Sequence, residues 1–79
     1  MKARANLFRI ALQTEFIRRQ NEHGKYPLRA FAQSLEMDPS SLHDLMKGER
    51  KAGAKPIRRL GEKIGLSDNQ IEALLAAEH

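Results

Sequence analysis

Residues 28–48, LRAFAQSLEMDPSSLHDLMKG, hold two short helical patterns with a turn between them. Leu28, Phe31, Ala32 and Leu35 recur every three or four positions, so they share one face of a helix over about Leu28–Leu35. Glu36-Met37-Asp38 reads as a tight turn. Asp38 is a good N-cap, and Pro39 suits the first helical position, where its missing N–H costs nothing. Leu42, Leu45 and Met46 form the buried stripe of the next helix, and Gly48 stops it. Two short helices joined by so brief a turn must cross steeply. The crossing needs a small residue at the contact, an apolar residue in the turn and apolar anchors beyond it. Ala32, Met37, and Leu42 with Leu45 supply these. Together with Phe31 they stand at the offsets of a helix-turn-helix, with a core over about residues 26–48.

Outward from this stretch the helical period continues, and no segment alternates with period two. A first helix is expected over about Ala3–Asn21, with Phe8, Leu12 and Phe16 inward and Ala5, Ala11 and Ile10 beside them. Gly24 and Tyr26-Pro27 break it, with Tyr26 packing at the hinge. After a loop over Glu49–Lys55, Pro56 opens a fourth helix bearing Ile57, Leu60, Gly61 and Ile64. Gly61 costs helix propensity, so its use is close approach to a neighbouring helix. Gly65 ends that helix, and Leu66 folds back over its last turn. Ser67-Asp68-Asn69-Gln70 is a capping box for a fifth helix carrying Ile71, Leu74 and Leu75. The expected fold is all-α, a compact five-helix bundle forming one domain over residues 1–79.

Composition agrees with that fold. The chain has 79 residues, 41% hydrophobic, which allows one modest core. Cysteine is absent, so a disulfide scaffold and thiolate metal sites are excluded. Residues 1–20 carry Lys2, Arg4, Arg9, Arg18 and Arg19 against Glu15 alone. Transit peptides and basic interfacial helices share that pattern. Here its apolar face is needed to complete so small a core, so we read it as part of the domain. No stretch approaches the ~20 apolar residues of a membrane span. A soluble, cytoplasmic protein with no membrane partner is expected.

The charges are unevenly placed. The net charge is +4. Lys47–Arg59 holds six basic residues and one acidic, and Lys2–Arg29 holds seven and two. Ser34–Met46 and Gly61–His79 each carry a net −3. Basic blocks beside a helix-turn-helix point to sequence-specific binding of double-stranded DNA, with the helix over residues 39–47 in the major groove.

The same residues resemble the Cro and phage-repressor (XRE-type) class of DNA-binding domains. That family reads roughly Y-S-L-R-x-F-A, then L-G-L-S, then S-x-L-S-x-L-x-x-G-K-R. This chain reads Tyr26-Pro27-Leu28-Arg29-Ala30-Phe31-Ala32, then Leu35-Glu36-Met37-Asp38, then Ser41-Leu42-His43-Asp44-Leu45-Met46-Lys47-Gly48-Glu49-Arg50. The likeness covers about residues 26–66. It implies a lambda-repressor-like bundle and a transcriptional regulator. The chain departs from the pattern at Pro27, in place of a Ser cap, and at Glu36, in place of Gly. His43 and Asp44 also differ, standing where relatives are often neutral or amidic.

The resemblance places Arg29, Lys47, Arg50 and Lys51 at or near phosphate-holding positions, with Lys55 and Arg58 close by. Such contacts give affinity and register but not sequence choice. Base reading falls to Ser40, Ser41, His43 and Asp44, with Pro39 at the edge. Asp44 repels phosphate but can accept from cytosine N4. No Arg, Asn or Gln stands at the front of this helix for a bidentate base contact, so base discrimination is weak or shape readout contributes. One domain this small touches little DNA, so a homodimer on a two-fold site is expected, with Ile71, Leu74 and Leu75 as a dimer face. Packing of these three back onto the first helix is the favoured alternative. No enzyme, small-molecule substrate, cofactor or metal is expected. Ser40, Ser41, His43 and Asp44 on one short helix cannot surround a substrate, and His23, His43 and His79 lack ligand spacing. The alternative is a helical protein-interaction module, or an antitoxin-like protein, that keeps the fold with weak or no DNA binding. The acidic stretch across the 39–47 helix favours it.

Overall fold

The computed structural model describes residues 7–78. Among the described residues the chain is an all-α bundle of five helices without a strand: α1 (Leu7–His23), α2 (Leu28–Ser34), α3 (Pro39–Lys47), α4 (Ala54–Lys63) and α5 (Asp68–Glu78). Phe8, Leu12, Phe31, Ala32, Leu35, Leu42, Leu45, Ile57, Leu60 and Ile64 form one core. α5 adds the fully buried Ile71, and its Leu74 and Leu75 pack on the edge of the core. At its centre Phe31 stacks on Phe16, with ring centroids 5.1 Å apart. Tyr26 closes the hinge before α2, its ring 6.1 Å from Phe16 and 6.3 Å from Phe31.

The helix ends are set by a few local bonds. Pro27 offers no side-chain cap to α2; its carbonyl instead accepts from the N–H groups of Ala30 and Phe31 at 3.0 and 3.2 Å. α3 begins as its sequence requires, with Asp38 accepting from the Ser41 N–H at 3.2 Å and Pro39 in the first turn. At α5 both halves of the capping box form: Ser67 Oγ accepts from the Gln70 N–H, and Gln70 Oε1 from the Ser67 N–H.

α2, α3 and α4 all stop the same way. Met37, Glu49 and Leu66 each donate their N–H to a carbonyl five residues back: those of Ala32, Asp44 and Gly61. The residue before each donor is left-handed: Glu36 at φ 56, Gly48 at 81 and Gly65 at 88. That is the Schellman stop, which favours glycine. At Glu36 the missing glycine costs about 1 kcal/mol. The Glu36 carboxylate meets Lys63 Nζ at 3.4 Å, which returns little of that cost at so exposed a site. Gly61 has the other use of glycine. A Cβ there would lie 2.9 Å from Ile71 Cγ1, so α4 and α5 meet backbone to side chain.

Several expectations need correction. α4 opens at Ala54 on a Gly53 N-cap, two residues before Pro56. Pro56 still lies in the first turn, where four N–H groups lack helical partners anyway. α1 continues to His23 rather than Asn21, and α2 stops at Ser34. Ile10 is 44% exposed instead of flanking the core, because the buried face of α1 turns through Phe8, Leu12 and Glu15. Ile71 is fully buried beneath Gly61 and cannot belong to a dimer face. Ala5 and the start expected at Ala3 lie outside the described residues.

Candidate nucleic-acid interface

The outward face of α3 follows from its inward one. With Leu42 and Leu45 buried and Met46 packed beside them, the 3.6-residue period turns Pro39, Ser40, His43, Asp44 and Lys47 to the other side. Pro39, Ser40, His43 and Lys47 are exposed there, and Asp44 partly so. The structure thus brings together four of the five expected base-reading residues. The fifth, Ser41, is partly buried and sits to one side. His43 Nδ1 lies 3.9 Å from Asp44 Oδ1, so the imidazole stands beside the one carboxylate of this face.

Ser41 lines a shallow depression of about 260 Å³ between the start of α3, the loop 48–53 and the start of α4. Its walls include Met37, Leu45 and Leu60, with Arg50, Lys51 and Arg59 among the lining residues. Arg29, Arg50, Lys51 and Lys55 are exposed, and none forms an ion pair among the described residues. Lys47 reaches Glu49 at 3.5 Å across solvent, a contact weak enough to exchange for another anion. The Arg58 guanidinium lies 3.1 Å from the Glu72 carboxylate of α5, an ion pair as exposed as that of Lys47 and as readily exchanged.

Two arginines escaped the sequence reading. Arg59 donates to the Leu35 carbonyl at 3.0 Å, fixing the end of α2 just before the turn while lining the depression. It belongs to the basic run, but nothing in that run marks it as the residue that turns back. Arg9 of α1 lies against Gly48, where a Cβ would come within 3.2 Å of its Nε. Nearby, Gln13 donates to the Met46 carbonyl at 2.7 Å. Together they seat the end of α3 on α1. Residues 33 and more positions apart meet here, and no local pattern signals such a contact.

No family model matches the chain, and no curated protein or solved structure does so either. The interface therefore rests on its own chemistry. Among the described residues no three His, Asp or Glu side chains converge as a metal site, and no helix is long and apolar enough to cross a membrane. The arrangement is an exposed helix face of Pro39, Ser40, His43, Asp44 and Lys47, with the exposed cations of Arg29, Arg50, Lys51 and Lys55 on neighbouring elements. Such a surface can lie in a groove of matching width and neutralise phosphates along its edges.

Proposed function

We propose that this chain is the DNA-binding domain of a cytoplasmic transcriptional regulator, with α3 in the major groove of double-stranded DNA. The observation that carries the reading is the pose of α3. It is capped at Asp38, braced from behind by Leu42 and Leu45, and presents Pro39, Ser40, His43 and Asp44 outward. Arg29, Arg50, Lys51 and Lys55 stand on the flanking elements as phosphate contacts, and Lys47 joins them by leaving Glu49. Arg58 joins them in the same way by leaving Glu72. Small hydroxyls and one carboxylate give weak base discrimination, so backbone contacts dominate the affinity.

Asp44 supports a second reading, a helical protein-interaction module, because a carboxylate on the recognition face repels phosphate. Amide chemical-shift mapping separates the two. Titration with a random-sequence duplex is expected to move the amides of residues 28–30, 39–44 and 48–53. No shifts, or shifts concentrated on α5, would overturn the DNA reading.

A further inference from the structure

All the large hydrophobic side chains exposed among the described residues lie on one helix. Leu7 is 41% exposed, Ile10 44% and Ile17 55%. At ~100° per residue they form a single stripe along α1 with exposed Thr14 between Ile10 and Ile17, nearly opposite the face that carries Phe8 and Leu12. Isolated exposed hydrophobics mean little; a stripe of them along one element marks a contact surface.

We infer that α1 pairs with α1 of a second copy of this chain, antiparallel, about a two-fold axis at Thr14. The spacing is self-complementary. Ile10 stands four residues before Thr14 and Ile17 three after it, so the two-fold sets Ile10 of each copy against Ile17 of the other. Thr14 supplies the small residue where the helices approach most closely. The flanks do not oppose the pairing. Arg18, the nearest charge on one side, is already held by Glu15 at 2.7 Å and Glu22 at 2.6 Å. In the dimer it faces the small Ala11 of the other helix.

The same symmetry explains what the pairing is for, and here the inference rests on the DNA reading. The other flank of α1, about a quarter turn from the stripe, carries Arg9 and Gln13, which seat the end of α3. A two-fold perpendicular to the helix pair keeps like flanks on the same side. Both copies of α3 then lie on one face of the dimer, as a two-fold DNA site demands. The interface is small. A 17-residue helix is ~25 Å long, and one helix face falls short of the ~800 Å² per partner of a standard interface. Self-association is therefore weak alone and is completed by adjacent half-sites.

A cysteine at Thr14 tests the pairing directly, because the chain has no thiol of its own. Helix axes ~8–10 Å apart bring facing Cα atoms to about 4–5 Å, within disulfide reach. Under mild oxidation Thr14→Cys is expected to form a disulfide dimer at least tenfold faster than an Asn69→Cys control on α5. Adding Ile10→Glu is expected to abolish that advantage. Equal rates at the two positions, or an advantage that survives Ile10→Glu, would overturn the inference. Cross-linking is read without DNA, so the two ideas fail separately. A linked dimer that ignores duplex sinks the DNA reading and leaves the interface standing.

Discussion

Arg19→Met is expected to lower the stability of the fold by about 2–3 kcal/mol, a fall in Tm of roughly 10–20 °C for a domain of this size. The Arg19 side chain is only 16% exposed. It donates to Glu15 Oε2 at 2.7 Å, to Ser34 Oγ at 2.7 Å, to Tyr26 OH at 3.2 Å and to the Lys63 carbonyl at 3.2 Å. Its guanidinium also lies 5.2 Å above the Phe31 ring. One side chain thus joins α1, the hinge, α2 and the end of α4. Met keeps the length of the stem and removes all four hydrogen bonds. The loss stays moderate because Glu15 keeps Arg18, so no buried carboxylate is left alone.

The effect depends on pH. The Arg18 hydrogen bonds, opposed by burial and seconded by Arg19, hold the Glu15 carboxyl below its ordinary 4.5. A depressed folded value means that the stabilisation is complete above 4.5 and is lost as pH falls through the lower folded value. The gap in Tm between parent and variant should therefore narrow in acid. Thermal unfolding at neutral and acid pH checks both statements. A Tm change within a few degrees at neutral pH would show that the network is incidental.

The second large effect concerns affinity. Replacing both Arg50 and Lys51 by alanine is expected to weaken duplex binding about 10- to 100-fold for every sequence alike. The log–log salt slope should become shallower by about two. Both side chains are exposed in the loop after α3 and form no ion pair among the described residues, so phosphate meets them without breaking an internal contact. For the same reason the variant should unfold within ~0.5 kcal/mol of the parent. Arg58→Ala is the internal comparison, with a change in slope of about one, because it removes one cation instead of two. A double variant that binds like the parent would remove the loop from the interface.

The local features of the fold were legible in the sequence. The Asp38-Pro39 start, the Gly48 and Gly65 stops, the Ser67–Gln70 box and the core stripe of Leu42 and Leu45 each depend on residues within one or two turns. Glu36 was marked only by the resemblance, whose pattern has Gly there; no local signal in Glu36-Met37-Asp38 shows that the residue is left-handed. What escaped depends on tertiary geometry. Nothing near Ile71 in sequence reveals that Gly61 opens a slot for it. The period placed Ile10 beside Phe8 and Leu12, but only the packing of α3 and α5 determines how far the buried face of α1 extends. The outward face of α3 was read nearly whole, because an exposed face is the complement of a buried one. Ser41 missed it by lying on the boundary. Arg59 and Arg58 share one basic run, yet one turns to the Leu35 carbonyl and the other to Glu72. Charge counting cannot separate them.

The claim that matters most is that this surface holds DNA. The most direct measurement is fluorescence anisotropy of a labelled random-sequence duplex, titrated with the chain at two salt concentrations. Binding is expected to weaken steeply with salt, with a log–log slope of about −3 or steeper, one increment for each phosphate neutralised. No binding at low salt, or binding indifferent to salt, would contradict it.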